Sequence, residues 1–263
     1  MYDFQYQKAG SLDEAANALK SGDAVALAGG QTILPTMKLR LANPSTLVDL
    51  SGIAELGGIK VDGGTVTIGA NTTHAAVASS SEVAGAIPAL AALAGHIGDP
   101  AVRNRGTIGG SIANNDPAAD YPAAVVGLGA TVHTNSRTIA GDDFFTGIFE
   151  TALGDGEIVT AVSFPGADKA GYAKFPNPTS RFAIVGVFVS QGSGGVRVAV
   201  TGAGASVFRQ RDMERALGDD FSADAVAGIA QADEGLNSDI HASAEYRAHL
   251  VTVMAKRAVA AAH

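Results

Sequence analysis

Two short segments with adjacent glycines restrict most strongly what this chain can fold into and hold. Residues 27–35 (LAGGQTILP) form the Gly29 loop, and residues 103–111 (RNRGTIGGS) form the Gly109 loop, about seventy-five residues further along. Each segment ends an apolar run at a glycine pair and then supplies a hydroxyl side chain, so each can turn several backbone N–H groups toward a ligand. Two such loops suit a long dianionic ligand, such as a dinucleotide, better than a single phosphate.

The residues alone leave an alternative open for each loop. The Gly29 loop predicts pyrophosphate binding by backbone amides at a helix N-terminus, but a tight strand-to-helix turn would need the same glycines. The Gly109 loop predicts a second set of amide donors, but a glycine-rich β-bulge would look similar. The candidate ligand-binding residues are Ala28, Gly29, Gly30, Gln31, Thr32, Ile33 and Leu34 in the first loop, and Thr107, Ile108, Gly109, Gly110 and Ser111 in the second.

Composition excludes several classes of function. The formal net charge of −8 argues against a nucleic-acid or anionic-membrane surface, and no apolar run is long enough to cross a bilayer. We therefore expect a cytoplasmic protein. The chain has no cysteine, so it forms no disulfide and holds no thiolate zinc site or iron–sulfur cluster, and its six histidines are scattered singly. Redox chemistry would require an organic cofactor and a partner that brings the electrons.

Periodicity and turn signals predict three successive regions. Ser11 begins a helix with a capping-box pattern, and a compact βαβ-like block follows. A glycine turn at Gly63-Gly64 predicts a hairpin, and residues 166–171 are predicted to be a linker. The predicted elements are a buried strand at 24–28, a strand at 47–50, a helix from Thr32 to Leu41, the hairpin 59–68, helices at 81–94 and 122–128, strands at 130–134 and 158–164, three antiparallel strands at 172–175, 183–190 and 196–202, and a helical remainder.

The two loops and their flanks resemble one family. The stretches AGGQTILPTMKLRLANPSTLVDL and IGDPAVRNRGTIGGSIANNDPAADYPAAVVGLGATV are similar to the FAD-binding medium subunit of molybdenum hydroxylases, with carbon monoxide dehydrogenase as the nearest type and xanthine dehydrogenase more distant. The resemblance implies an α+β fold of the PCMH type. It would comprise two FAD-binding lobes at residues 1–57 and 58–165, and a C-terminal domain at 171–263 with a three-stranded antiparallel sheet and helices.

The resemblance also implies site residues. Both loops would hold FAD, although the family commonly has His-Ser where this chain has Gln31-Thr32, and Asn where it has Ser111. Asp120 would contact FAD, with helix capping as the alternative, and Asn114 is a weaker candidate. Tyr172 would lie against the isoalloxazine ring and Lys174 would place positive charge near it, unless this strand faces water. Further implied contacts are the apolar side chain of Ile97 and the backbone of Ile158. From the residues alone, Arg103 and Arg105 could pair with phosphate or with the carboxylates of a partner subunit, and we expect Arg105 to be exposed to solvent.

The implied function is electron transfer. A large partner subunit would carry the molybdenum cofactor and a small one the 2Fe-2S clusters, in a dimer of heterotrimers, and the flavin would reduce a quinone, NAD or oxygen. Two other hypotheses stay open. Thr201-Gly202-Ala203-Gly204-Ala205-Ser206 offers weak support for an NAD-dependent Rossmann dehydrogenase, although the third glycine is missing. The other hypothesis is an assembly or interaction subunit that has lost its cofactor.

Overall fold

The computed structural model describes residues 1–263, which begin with a small parallel β-sheet of strand order β1-β3-β2. Ser11 caps the first helix as predicted, because its Oγ accepts a hydrogen bond from the amide of Glu14. The first helix packs against the central strand through a core of eight buried residues. The elements are β1 (Gln5–Lys8), α1 (Leu12–Leu19), β2 (Ala24–Leu27), α2 (Ile33–Lys38) and β3 (Thr46–Asp49), followed by a 3-10 turn at Ala54–Leu56.

Two details of this lobe differ from the sequence prediction. The strand at 24–28 is not buried, because β2 lies at the edge of the sheet and leaves Val25 37% exposed. The helix predicted to reach Leu41 ends at Lys38. Arg40 adopts a left-handed conformation (φ 60°), which a continuing α-helix does not allow.

The second part of the chain forms a five-stranded antiparallel sheet of order β4-β5-β10-β6-β7, and helices pack against this sheet in a core cluster of 28 buried residues. The predicted hairpin is confirmed as β4 and β5, joined at Gly63-Gly64. The elements are β4 (Ile59–Asp62), β5 (Thr65–Gly69), α3 (His74–Ser79), α4 (Ser81–Ala86), α5 (Pro88–Gly95), α6 (Pro100–Arg103), α7 (Ile108–Asn114), α8 (Tyr121–Gly127), β6 (Thr131–Thr134), β7 (Thr138–Ala140), α9 (Gly141–Phe144), β8 (Phe145–Gly147), β9 (Glu150–Thr151) and β10 (Val159–Phe164).

The single helix predicted over residues 81–94 is wrong. The structure divides it into α4 and α5 at Ile87, whose backbone is extended (φ −142°, ψ 79°). Pro88 causes the break, because a proline ring disfavours the helical conformation in the residue before it. Pro88 then begins α5 in the first turn, where its missing N–H costs nothing.

The C-terminal part forms an antiparallel sheet of order β11-β12-β13-β14. The three predicted strands are present, and a fourth of two residues extends the sheet. The remainder is not wholly helical, because residues 220–243 run through turns in which Gly235 has a positive φ of 77°. The elements are β11 (Lys169–Pro176), β12 (Ala183–Gly192), β13 (Gly195–Thr201), β14 (Phe208–Arg209), α10 (Arg211–Asp219) and α11 (Ala244–Ala260).

The hypothesis of a Rossmann dehydrogenase is wrong. The glycine motif at 201–206 follows β13, which pairs antiparallel with both of its neighbours. A Rossmann fingerprint requires a parallel strand that leads through the glycine turn into a helix. None of the helices combines the length and the apolar character that crossing a bilayer would require.

Candidate cofactor-binding site

The Gly29 loop presents a continuous row of unused backbone donors. It leaves the edge strand β2 and enters α2, and the amides of residues 29–33 donate no hydrogen bond to any protein acceptor. Thr32 stands at the N-cap of α2, but its hydroxyl makes no capping bond and also has no protein partner. These five consecutive N–H groups are available to an anion, and two of them, at Thr32 and Ile33, stand at the N-terminus of α2. This geometry supports the phosphate-binding interpretation of the loop over a purely steric role for its glycines.

The two glycine loops are in direct backbone contact. A β-carbon on Gly29 would lie 2.1 Å from the carbonyl oxygen of Arg105 and 2.8 Å from the Cα of Gly106. Only glycine permits this approach. A cavity of about 300 Å³ opens where the loops meet, lined by Ala28, Gly29, Ser51, Ile53, Ala54, Gly57, Asn71, Thr73, Asn104, Arg105 and Thr107.

The Gly109 loop does not present the predicted row of free amides. Residues 108–111 open α7, and all four of their amides are satisfied inside the protein. Their acceptors are the carbonyl oxygens of Thr72, Ala70 and Thr107 and the hydroxyl of Thr107. Gly109 serves packing, because a β-carbon there would lie 2.5 Å from the β-carbon of Ala70. The donors that this loop still offers are the hydroxyls of Thr107 and Ser111, and the β-bulge alternative is also wrong.

Asp120, Tyr172 and Lys174, far apart in sequence, form one buried cluster. The Tyr172 hydroxyl donates to Asp120 Oδ1 at 2.5 Å, and Lys174 Nζ lies 2.9 Å from the same oxygen. The Lys174 side chain is 4% exposed and Tyr172 is 7% exposed, so the alternative in which this strand faces water is wrong. Asp120 makes no capping bond at α8, so the capping alternative is wrong as well. Its second oxygen, Oδ2, accepts no hydrogen bond from the protein.

Burial governs the electrostatics of this Asp120 cluster. Burial raises the pKa of the Asp120 carboxyl, and the ammonium of Lys174 opposes that rise. Burial also raises the pKa of the Tyr172 phenol, which stays protonated and can donate to Asp120. With Asp120 ionised, the carboxylate and the ammonium cancel, and the cluster presents a fixed dipole without net charge.

The segment 96–107 links the Asp120 cluster to the Gly29 loop. Lys174 Nζ donates to the carbonyl of His96 at 2.8 Å, and Arg103 Nη1 donates to the carbonyl of Ile97 at 2.8 Å. Arg105, at the end of this segment, is the residue that touches Gly29. This segment, which we call the wall, therefore connects the two halves of the site through the chain. Arg103 is engaged within that wall, whereas Arg105 is exposed, as predicted.

The remaining predicted contacts are placed unevenly. Ile97 is half-buried in this wall, and Asn114 lies half-buried at the end of α7. Ile158 is buried in the core of the first lobe, and both its amide and its carbonyl are bonded to Asn135. The backbone contact of Ile158 with a ligand stays a prediction. Sequence reasoning missed four polar cavity residues, Ser51, Asn71, Thr73 and Asn104, of which only Thr73 carried a local signal, as a hydroxyl that caps a helix after a strand.

Comparisons with known proteins agree along the whole chain. A family model described as the FAD binding domain in molybdopterin dehydrogenase matches residues 2–167, and one described as the CO dehydrogenase flavoprotein C-terminal domain matches residues 171–262. The nicotine 6-hydroxylase medium subunit of Paenarthrobacter nicotinovorans is 35% identical to this chain, and the match covers 97% of this chain and 95% of that subunit. The carbon monoxide dehydrogenase medium chain of Hydrogenophaga pseudoflava is 36% identical over 98% and 96%.

Solved structures are similar over the same extent. Carbon monoxide dehydrogenase from Hydrogenophaga pseudoflava matches with a TM-score of 0.89 and 36% identity, over 99% of this chain and 97% of that one. Quinoline 2-oxidoreductase from Pseudomonas putida 86 matches with a TM-score of 0.90 and 31% identity, over 98% and 96%.

Proposed function

This chain belongs to the family of FAD-binding medium subunits of molybdenum hydroxylases, as its sequence predicted, and from that premise we propose that it holds FAD along the wall that joins the Gly29 loop to the Asp120 cluster. It is an oxidoreductase subunit with an electron-transfer role, and FAD is its cofactor. The molybdenum and iron–sulfur centres belong to other subunits of such complexes. The observation that carries the proposal is the row of five free amides beside a cavity, on the same wall as an unpaired carboxylate oxygen.

The residues present fit the two chemically different halves of FAD. The amides of residues 29–33 and the Thr32 hydroxyl match the oxygens of a diphosphate, which accept hydrogen bonds and carry negative charge. Asp120 Oδ2 matches a hydroxyl or N–H donor of the cofactor, and its position is fixed because Tyr172 and Lys174 hold the other oxygen. The Gly109 loop adds the hydroxyls of Thr107 and Ser111.

The chain's own part in electron transfer is binding, orientation and electrostatics. When bound, the flavin supplies the redox chemistry that lets electrons arriving singly leave as a pair. Lys174 holds an ammonium group at a defined place beside the site, and its pairing with Asp120 leaves the pair without net charge when Asp120 is ionised. The packing of the Tyr172 ring against the flavin stays a prediction, since this ring already contacts Phe188 and His96.

The relatives suggest the setting. We propose a complex with a molybdenum-containing large subunit and a small subunit carrying 2Fe-2S clusters, arranged as a dimer of heterotrimers in the cytoplasm, with a quinone, NAD or oxygen as acceptor. The substrate is set by the large subunit, and relatives are named for substrates as different as carbon monoxide, nicotine and glyceraldehyde. We also propose the domain limits 1–57, 58–165 and 171–263. The free amides and the cavity weigh against a subunit that has lost its cofactor.

A carboxylate placed beside the free amides tests the proposal. Thr32→Asp puts a negative charge at the N-terminus of α2, where it stabilises the helix by about 0.3–1 kcal/mol but repels a phosphate. We expect the Kd for FAD, measured by titrating the apoprotein, to rise about tenfold or more while the melting temperature of the apoprotein does not fall. Ser80→Asp makes a similar change at the N-cap of α4 and should leave the Kd unchanged.

Two outcomes would contradict the proposal. One is wild-type protein that shows no flavin absorbance near 450 nm (roughly the band of any oxidised flavin) and cannot be reconstituted. The other is a Thr32→Asp protein that binds FAD as tightly as the wild type.

A further inference from the structure

The C-terminal sheet donates hydrogen bonds to the segment that leads into Asp120. Three consecutive carbonyl groups, at residues 117–119, each accept a hydrogen bond from the ends of β12 and β13. The Gly202 amide donates to Pro117 at 2.8 Å, the Ala183 amide donates to Ala118 at 3.2 Å, and the Thr201 hydroxyl donates to Ala119 at 2.7 Å. Two of these donors are main-chain groups that any suitable backbone would supply. The third depends on one side chain.

Thr201 is placed where its hydroxyl controls the peptide before Asp120. The residue is 1% exposed, and its Oγ1 also lies 3.2 Å from the Pro117 carbonyl. The carbonyl of Ala119 shares a rigid peptide plane with the nitrogen and Cα of Asp120. A bond that fixes this carbonyl therefore fixes the base of the Asp120 side chain.

The other groups that hold Asp120 come from the same sheet. Tyr172 and Lys174 lie on β11, which pairs with β12 along its whole length. The carboxylate is thus fixed at its tip by β11 and at its backbone by β12 and β13, although Asp120 itself precedes α8 of the second lobe. The glycine motif at 201–206 does not form a nucleotide-binding turn; instead, its first two residues, Thr201 and Gly202, donate hydrogen bonds to the segment before Asp120.

We infer that Thr201 is a positioning residue of the flavin site, acting through the Ala119–Asp120 peptide to orient the Asp120 carboxylate toward FAD. The inference rests on the proposed function. It gives the C-terminal domain a further part in cofactor binding, beside Tyr172 and Lys174, through a hydroxyl that bonds the segment before Asp120. Thr201→Val keeps the side-chain shape and removes the hydroxyl, whereas Thr201→Ser keeps the hydroxyl.

A double-mutant cycle in the full-length chain tests it, with the Kd for FAD as the readout. We expect Thr201→Val to raise the Kd about tenfold, which is 1.4 kcal/mol of binding free energy, and Thr201→Ser to stay within about twofold of wild type. In an Asp120→Asn background, Thr201→Val should change the Kd by less than about twofold, because coupled residues are not additive. A merely structural role would give the same loss in both backgrounds. If the valine variant does not fold, Thr201→Ala replaces it in the same cycle.

The outcomes separate the two claims. If Asp120→Asn weakens FAD binding but Thr201→Val does not, or if the two losses add, the positioning role is wrong and the proposed site stands. If Asp120→Asn leaves the Kd unchanged, both the proposed site around Asp120 and the role of Thr201 are wrong.

Discussion

Gly29→Ala is the substitution that best tests the contact between the two glycine loops. The new β-carbon would lie 2.1 Å from the Arg105 carbonyl oxygen and 2.8 Å from the Gly106 Cα. Both neighbours are backbone atoms, so no side-chain rotation relieves the overlap, and the loops must separate by about 1 Å or more to reach van der Waals distance. Overpacking of this kind costs about 1–3 kcal/mol. For a chain of this size, a loss of about 2 kcal/mol, the middle of that range, lowers the melting temperature by roughly 4–8 °C.

The same displacement should weaken cofactor binding, because the cavity lies at the contact between the loops. We expect the Kd for FAD to rise at least about tenfold, or 1.4 kcal/mol. Thermal unfolding of the apoprotein and FAD titration measure the two effects separately. Gly85→Ala is the matched control: it lies in α4 with no atom within 4 Å of its β-carbon, and alanine there should stabilise the helix slightly. A Gly29→Ala protein with wild-type melting temperature and FAD affinity would refute the reasoning.

Two further predictions concern pH. Burial lowers the pKa of His74 from its ordinary 6.5 to about 4. As the pH falls through this range, the unfolded chain takes up a proton before the folded chain does, so the free energy of unfolding decreases by about 3 kcal/mol. His74→Phe should remove this part of the pH dependence in urea unfolding, and an unaltered pH profile would contradict it. The hydrogen bond from Arg137 lowers the pKa of Glu157 from its ordinary 4.5 to about 2. The ionised Glu157 carboxylate therefore stabilises the folded protein fully above about pH 4.5, and this contribution is lost as the pH falls through about 2. Glu157→Gln should destabilise the protein at pH 7 and progressively less toward pH 2, and an equal melting-temperature difference at pH 7 and pH 3 would contradict this.

Local signals predicted much of the fold and only part of the site. The hairpin at β4 and β5 followed from its glycine turn, and Ser11 from its capping pattern, since each depends on a few adjacent residues. Pro88 is a local signal for the break at Ile87, but the apolar periodicity continues across it and predicts one helix instead of two. The Asp120 cluster joins groups 52 residues apart in sequence. The family resemblance assigned Asp120 and Tyr172 separately to FAD and did not predict the hydrogen bond between them.

Whether an amide is free for a ligand is not a local property. The Gly29 and Gly109 loops look alike in sequence, yet one leaves its amides unbonded and the other uses all of them. The difference is that α7 packs its first turn against the residues after β5, where Ala70 and Thr72 accept from Gly109 and Ile108, whereas no protein acceptor bonds the amides of residues 29–33. Two loops with similar sequences therefore differ in their hydrogen-bonding capacity.

The arrangement also explains how an acidic chain can hold a dianion. With a net charge of −8, the protein as a whole repels a diphosphate, and the one charged side chain beside the Gly29 loop, Arg105, is exposed to solvent. The five free amides attract the anion through backbone dipoles, which carry no formal charge and do not titrate. At the other end of the wall, Lys174 is already balanced by Asp120. On the proposed placement of FAD, recognition in both halves depends on the direction of fixed dipoles, and the proposed role of the Gly29 contact and of Thr201 is to hold the backbone that sets this direction.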